Sequence, residues 1–522
     1  MDRRTFLSGT AAFGAATLSP LRAINSGRTP IFRTANTRWQ FAYDRALQVL
    51  AGNVQPMDDS ARPVLIEGSV YQGIWMECGP HEALTYRKFR PDVARNSHLI
   101  FFDLQKPDGQ LPANRRRTLS GFGQIQMVVP IAATAWELAR ATGDGELLEK
   151  AYAACGKWDA WLRRYRDTRK AGLVEGFCTF DTGMDNSPRW KGLPDGCPDR
   201  DATRHADLPV LPFLSPDLSA TMVGARRAMA DMAKALGKSG EADRWTADCE
   251  TLRNKLIEKL WVAQDGAFYD LDAQEHFVRV RSDVISRVAS EHVPDQVMFE
   301  LMWAKQLGNP NAFWAPYPLP SAALDDPTFV RPIPRNSWGG AAQALTALRA
   351  GRWMDHYGRS AEFARMQDAW CEAILRDPSF RQQIDPLTGA FTQEDAPGYS
   401  PAALVMLDYT WRLAGVREVD DGIEWNVRPG HAAADNARFV LPLDGGGTAE
   451  MAYDARGADL ILAGKSIGRI EGVAQLVTDR KGLPDHVVGI NERTETIILR
   501  LRGRPARRLA VTPNRRIDVT RV

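Results

Sequence analysis

The sequence carries little excess charge of either sign. Its 66 Lys and Arg residues and 64 Asp and Glu residues leave a formal net charge of +2 over 522 residues. A protein that binds nucleic acid in general needs a basic surplus to neutralise phosphates, so this class is excluded. Beyond the N-terminal segment there is no uninterrupted apolar run of about 18 residues, which argues against insertion into a membrane.

Cysteine and histidine are also scarce. The six cysteines form no Cys-x-x-Cys pair, and the eight histidines show no spacing typical of metal ligands. The sequence therefore predicts neither a metal nor another cofactor. A disulfide between Cys178 and Cys197 is permitted in an oxidising compartment but is not required. No heptad seam indicates an oligomeric partner.

The composition is otherwise that of a globular protein with a large core. Hydrophobic residues make up 44% of the chain, charged residues 25% and aromatic residues 9%. The length favours about three domains.

The first 23 residues resemble an export signal. Arg3 and Arg4 precede a weakly apolar run over residues 6–18, and small residues end the segment at Ala23. This pattern predicts a twin-arginine signal over residues 1–23 and a mature protein in the periplasm or beyond. The alternative is a chance arginine pair.

The middle of the chain consists of paired helices. One-sided apolar stripes flank short turns that contain glycine, which is typical of antiparallel helices. The turns lie at residues 143–145, 237–240 and 358–360. Long irregular segments separate the pairs at residues 166–218, 262–340 and 376–400, and we expect them on one face, where a site would lie.

After Gly415 the pattern changes to short alternating runs separated by Gly, Pro and Asp turns. We predict a mainly α domain over residues 24–419 and a small antiparallel, sandwich-like β domain over residues 420–522. Apolar residues around Trp425 are expected to anchor the second domain on the first.

Residues 180–190 carry the most informative motif. The segment holds two carboxylates, an amide, Arg189 and Trp190 within a long loop. Glycoside hydrolysis needs a carboxylic acid to protonate the leaving oxygen, polar groups for the hydroxyls and an aromatic face for the sugar ring. The residues fit equally well an Asp-Asn-Ser-Pro turn that caps a helix.

Residues 183–190 (Gly-Met-Asp-Asn-Ser-Pro-Arg-Trp) closely resemble the acid motif of glycoside hydrolase family 63 and its mannosylglycerate-hydrolase-like relatives. Segments 74–77, 105–112, 325–340 and 385–404 resemble further motifs of that family in the same order. The resemblance covers roughly residues 40–415. It implies a six-hairpin (α/α)6 barrel and an inverting hydrolase of α-linked glycosides or small oligosaccharides, with Asp185 as the general acid.

One departure concerns the general base. Where the family usually has a glutamate, this chain has Gln382, and an amide cannot accept a proton from water. Candidate replacements are Asp385, Glu394 or Asp395, and Glu77. Each candidate also has a structural interpretation. Asp385 fits a turn-forming aspartate before proline, and Glu394 fits a solvated surface charge. Glu77 fits a residue that donates or accepts hydrogen bonds in the wall of the site.

Several further residues are predicted to bind the sugar. Tryptophans in loops favour stacking on a sugar ring, whereas Trp158, Trp245 and Trp370 lie on helix stripes and are predicted core residues. The predicted substrate-binding residues are Trp75, Glu77, Asn186, Arg189, Trp190, Asn336, Trp338 and Gln382.

Two other functions remain open at this point. Gln382 is compatible with a catalytically impaired carbohydrate-binding protein on the same barrel. A polysaccharide lyase on a similar toroid would need an acidic substrate and a Tyr or His base.

Overall fold

The computed structural model describes residues 29–334, 336–392, 396–420 and 422–520. The predicted signal over residues 1–23 and the candidate bases Glu394 and Asp395 lie outside the described residues. Within those ranges, no helix combines the length and apolarity needed to cross a membrane.

The body of the molecule consists of helices joined by turns and loops. They are α1 (Thr37–Gly52), α2 (Gly79–Tyr86), α3 (Pro91–Asp103), α4 (Ile131–Thr142), α5 (Gly145–Tyr165), α6 (Pro216–Ala235), α7 (Ser239–Leu260), α8 (Val284–Ser290), α9 (Gln296–Met302), α10 (Ala344–Arg349), α11 (Gly351–Met354), α12 (Ser360–Arg376) and α13 (Ser400–Ala414).

The predicted helix turns are confirmed. Gly143 ends α4 with a φ of 68°, a left-handed conformation that glycine adopts without a Cβ clash. The Asp144 side chain then accepts the backbone N–H of Leu147 and caps α5. This glycine stop followed by an acidic cap reverses the chain within two residues.

Seven helices of the described residues contact one another in sequence. Helix α2 contacts α4, α4 contacts α6, α6 contacts α8, and α8 contacts α11. Helix α10 contacts α13, and α13 returns to α2. Helix α1 packs against α13, so the first and last helices make a pair.

Two of the three tryptophans on the helix stripes are buried in the core, as predicted. Trp158 is 4% exposed and Trp370 is fully buried. Trp245 is partly buried against the same core and donates from its indole to the Tyr152 hydroxyl.

Short strands shape the loops between the helices. They are β2 (Val54–Met57), β3 (Ser60–Leu65), β4 (Ile74–Trp75), β5 (Asn114–Arg116), β6 (Leu119–Gly121), β7 (Glu175–Gly176), β8 (Phe213–Leu214), β9 (Trp261–Val262), β10 (Ala267–Phe268), β11 (Asp270–Leu271), β12 (Phe277–Val278), β13 (Ala342–Gln343) and β14 (Gln383–Ile384), while β1 (Ile31–Arg33) joins the C-terminal region.

The C-terminal region is antiparallel β structure, as predicted. A seven-stranded sheet has the order β1-β17-β18-β19-β20-β23-β24, and a five-stranded sheet has the order β15-β16-β21-β22-β25. Their strands are β15 (Val416–Val419), β16 (Gly422–Val427), β17 (Arg438–Pro442), β18 (Thr448–Tyr453), β19 (Gly457–Leu462), β20 (Lys465–Glu471), β21 (Ala474–Thr478), β22 (Pro484–Val488), β23 (Glu495–Leu501), β24 (Arg507–Val511) and β25 (Arg516–Asp518).

The domain boundaries differ from those predicted. The five-stranded sheet begins at Val416 rather than residue 420, and Ile31–Arg33 pairs with β17 although it precedes the helices. A three-residue strand is too short to show the alternation by which sequence reveals strands. The N-terminal part of the helical domain is therefore tied to the C-terminal sheet.

The junction between helices and sheets is buried. Asn426 donates from its backbone N–H to the Gly415 carbonyl and from its side chain to the Trp411 carbonyl. Trp425 is fully buried, and its indole donates to the Thr478 hydroxyl. We therefore expect the two regions to unfold together rather than as independent units.

Candidate active site

The loop that carries Asp185 is anchored by a buried ion pair. The Asp181 carboxylate lies 2.5 Å from the Arg166 guanidinium, and both side chains are fully buried. Asp181 also accepts backbone N–H groups from Ile125 and Phe177. These bonds hold the start of the loop between β7 and α6, four residues before Asp185.

Asp185 is partly buried, and two of its atoms accept hydrogen bonds from the loop that carries Asn336 and Trp338. Its backbone carbonyl accepts the N–H of Trp338, and its Oδ2 accepts the side-chain amide of Asn336 at 2.7 Å. The short 3-10 helix Pro188–Trp190 begins after Ser187, which makes no side-chain capping bond. The carboxylate thus receives an amide from across the site, and no cap of that helix by Asp185 is seen.

A chain of hydrogen bonds leads to Asp185. The Tyr71 hydroxyl donates to Gln382 Oε1 at 2.9 Å, and Gln382 Nε2 donates to Asn336 Oδ1 at 3.1 Å. Asn336 then donates to Asp185. An amide at position 382 both accepts and donates in this chain, whereas an ionised glutamate would place two acceptor oxygens face to face.

The environment of Asp185 favours its protonated form. Burial raises the pKa of the Asp185 carboxyl from 3.8 to about 6, although the hydrogen bond from Asn336 pulls the pKa down. The charge of Asp195 in the same loop adds to the rise. A carboxyl with this pKa can donate a proton near neutral pH.

Three further carboxyls lie deeper in the molecule. Burial raises the pKa of Glu67, Glu77 and Glu82 to about 8 each. The charge of Asp185 contributes to the raised pKa of both Glu67 and Glu77, so these two groups face the same site. Arg287 and Arg349 act in the opposite direction on Glu77.

Glu77 lies directly against the Asp185 loop. Its Oε1 accepts the side-chain amide of Gln126 at 3.2 Å, while its Oε2 is buried and has no hydrogen-bond partner among the described residues. A Cβ at Gly183 would lie 1.6 Å from this Oε2, and Gly183 has a φ of 62°. Only glycine allows both the backbone turn and the close approach of the carboxyl.

One oxygen of Glu67 accepts two hydrogen bonds. Its Oε1 accepts from the Cys78 thiol at 3.1 Å and from the Tyr399 hydroxyl at 3.2 Å. Glu77 differs in that its Oε2 is buried against the Asp185 loop and accepts no hydrogen bond from the described residues.

Three predicted substrate-binding residues are corrected by their burial. Arg189 is 2% exposed and binds two carboxylates, those of Asp217 and Asp270, through paired hydrogen bonds. Trp190 is 3% exposed and stacks on Phe213 at 5.2 Å. These two side chains stabilise the loop from beneath and present no face to a sugar.

Trp338 is likewise corrected. It is 2% exposed, and the guanidinium groups of Arg287 and Arg349 lie 5.0 and 5.9 Å from its ring. The aromatic face that was expected to stack on sugar is occupied by cations of the protein.

Asp385 occupies a turn instead of facing Asp185. Its Oδ1 accepts the backbone N–H groups of Leu387 and Thr388, and its Oδ2 lies 2.7 Å from Arg331. This corrects its proposed role as the base and confirms the alternative of a turn-forming aspartate.

The remaining predicted residues lie at the site. Asn186 is exposed and donates to the backbone carbonyl of Asn336 at 2.8 Å. Trp75 is partly buried and stands edge-on to Tyr71 at 5.8 Å. Their contact with a sugar stays a prediction.

Two groups in the described residues have potential metal ligands within 4.8 Å of one another. They are Glu67 with Glu77 and Cys78, and Cys178 with Asp181 and Cys197. In the second group the charge of Asp181 is already balanced by Arg166. In the first, the Glu67 oxygen already accepts two hydrogen bonds.

Sequence reasoning missed Glu67 and Tyr71. Glu67 directly follows the buried residues Val64, Leu65 and Ile66, and a carboxylate at the end of an apolar run is unusual in a core. That signal was available. No sequence signal pointed to Tyr71, because its role depends on Gln382, which lies 311 positions away along the chain.

Comparisons with known proteins identify the family of the chain. Residues 71–411 match the family model described as the mannosylglycerate hydrolase MGH1-like glycoside hydrolase domain. A mannosylglycerate hydrolase of Rubrobacter radiotolerans is 23% identical over 402 residues, which cover 62% of this chain and 88% of that protein.

Solved structures share the fold. The family 63 mannosylglycerate hydrolase of Thermus thermophilus, in complex with Tris, has a TM-score of 0.58 at 20% identity, over 71% of this chain and 100% of that one. A sialidase has a TM-score of 0.62 at 17% identity, over 86% of this chain and 41% of that one.

The match places the chain among the glycoside hydrolases, and it is a glycosidase. It belongs to the mannosylglycerate hydrolase MGH1-like family, as the resemblance of residues 183–190 predicted.

Proposed function

We propose that the protein is an inverting glycosidase in which Asp185 is the general acid. The observation that carries this proposal is the partly buried Asp185 carboxyl, whose pKa is raised to about 6 and whose direction is set by Asn336. A protonated carboxyl in this position donates to the glycosidic oxygen as the bond to the sugar breaks.

We propose that the helical region is an (α/α)6 barrel. Support comes from the contacts between consecutive inner helices and from the return contact of α13 with α2. The N-terminal ends of these helices receive the loops that hold Glu77, Asp185 and Gln382, which would put the site at one end of the barrel axis.

We propose Glu77 as the group that takes the proton of the attacking water. Inversion requires a second carboxylate across the site from the acid, with room for water between the two. The Asp385 carboxylate is bound to a turn, and Glu67 Oε1 accepts from two donors, whereas Glu77 Oε2 accepts no hydrogen bond from the part of the chain that the structure describes. Arg287 and Arg349 lower the pKa of Glu77, but burial outweighs them and raises it to about 8, so the ionised form that can accept a proton grows as the pH rises toward 8.

The substrate we propose is a small α-linked glycoside, cleaved from its end. The relative from Rubrobacter radiotolerans is a mannosylglycerate hydrolase, so mannosylglycerate is the first compound to test. A panel of α- and β-linked disaccharides and aryl glycosides would define the sugar and the linkage.

The stereochemistry can be followed by proton NMR during the first minutes of hydrolysis. We expect the first free sugar to have the β configuration when an α-glycoside is cleaved. Initial release of the α anomer would refute the inverting mechanism. Binding of the sugar without turnover of any member of the panel would favour the impaired, carbohydrate-binding alternative.

A matched pair of variants tests the base. Glu77→Gln keeps the shape of the side chain and is expected to lower kcat about 10²–10⁴-fold. Glu82→Gln, which changes a buried carboxyl close to Glu77, is the control. If Glu77→Gln retained full activity, the water would have to be activated elsewhere.

A further inference from the structure

Cys178 and Cys197 lie on either side of the Asp185 loop. Their sulfurs are 3.6 Å apart, and the two residues form a small buried cluster with Phe177. A disulfide bond is about 2.05 Å long, so a short rotation of the two side chains is needed to form it.

Backbone hydrogen bonds already connect the two segments that carry the cysteines. The N–H of Thr179 donates to the Pro194 carbonyl at 3.0 Å, and the N–H of Phe180 donates to the Asp195 carbonyl at 2.9 Å. A crosslink would therefore connect two segments that are already hydrogen-bonded to each other.

The other cysteines lack this arrangement. Cys155, Cys249 and Cys371 are buried, and their contacts within the described residues include no second sulfur. Cys78 contacts Glu67 and a backbone carbonyl. The pairing geometry is thus specific to Cys178 and Cys197.

We propose that Cys178 and Cys197 form a disulfide that closes residues 178–197, with Asp185 inside, into a covalent ring. The reaction is thiol–disulfide exchange with a small or protein disulfide donor such as oxidised glutathione. Two thiols lose two protons and two electrons, one S–S bond forms in this chain, and the donor disulfide is reduced to two thiols.

The ring would secure the loop against opening. Residues 179–196 include Asp185 and the buried Arg189, and a loss of their packing would displace both. In the chain-entropy description, a crosslink destabilises the unfolded chain more as the loop grows. For a loop of about 20 residues in a chain of this size, we expect a rise of about 3 °C in the melting temperature.

The first test is mass spectrometry of the purified full chain under denaturing, non-reducing conditions after exposure to oxidised glutathione. We expect a peptide that joins Cys178 to Cys197 and an intact mass about 2 Da below that of the reduced chain. Four of the six cysteines should react with an alkylating reagent in denaturant. Reaction of all six, or a crosslink between other cysteines, would overturn the proposal.

The second test uses variants. Cys178→Ser and Cys197→Ser should each abolish the mass difference and lower the melting temperature of oxidised protein to that of reduced wild type. Cys249→Ser should retain the response to reductant. Should the first two variants fail to fold, the mass difference in the wild-type chain still decides the question, and a melting temperature unaffected by reductant would refute the stabilising role.

Discussion

Replacing Asp185 by Asn should impair activity and stabilise the protein at the same time. An asparagine keeps the shape and accepts the same hydrogen bond from Asn336, but it has no proton to donate. We expect kcat to fall about 10²–10⁴-fold for a substrate with a poor leaving group, and less for an activated aryl glycoside.

The stability effect follows from the pKa of Asp185. Its pKa in the folded state, about 6, exceeds the usual value of 3.8, so the folded protein binds this proton more tightly than the unfolded chain. The associated stability is complete below pH 3.8 and is lost as the pH rises through about 6. The loss at pH 7 is at most about 3 kcal/mol.

Asparagine removes that loss because it never ionises. The variant should therefore unfold at a melting temperature about 3 °C above wild type at pH 7, with the difference nearly gone at about pH 4. The assays are hydrolysis rates and thermal unfolding at both pH values. Asp207→Asn, which changes an exposed carboxylate in the same loop, is the matched control and should alter neither.

Two results would refute the reasoning. Wild-type hydrolysis of the natural substrate by Asp185→Asn would remove Asp185 from the chemistry. A stability difference that does not depend on pH would show that the Asp185 carboxyl is not forced into an unfavourable environment.

Three other predictions address the surroundings of this residue and the start of the chain. Asn336→Ala removes a hydrogen bond to a charged group, so the alkaline limb of the pH profile of kcat/KM should move upward by about 1–2 units, and an unmoved limb would contradict the role of Asn336. Arg189→Met leaves the buried Asp270 without its cation and Asp217 with Arg287 alone, and it should lower the free energy of unfolding, measured in urea, by about 3–5 kcal/mol; a change below about 1 kcal/mol would contradict the ion-pair argument. Replacement of Arg3 and Arg4 by lysine should retain the protein in the cytoplasm on cell fractionation, and unchanged export would argue against the twin-arginine signal.

Part of this molecule could be read from the sequence because the signals are local. The turn at Gly143 and Asp144 depends on a left-handed glycine and an adjacent cap, and both effects act over a few residues. The motif at 183–190 is contiguous, so family membership was accessible without coordinates, and the proposal of Asp185 as the acid rests on the same motif. The alternating runs after Gly415 likewise reveal their strands through a period of two.

The tertiary structure decided which side chains face the sugar site. Arg189 and Trp190 belong to the same motif as Asp185, yet they point into the core, because neighbouring residues in a loop need not share a direction. The role of Gln382 also required coordinates, because its side chain bonds to Tyr71 and Asn336, which come from distant parts of the chain. The same holds for Glu77, whose carboxyl meets Gly183 only after the helices have packed, since contacts between distant segments leave no periodic trace in the sequence.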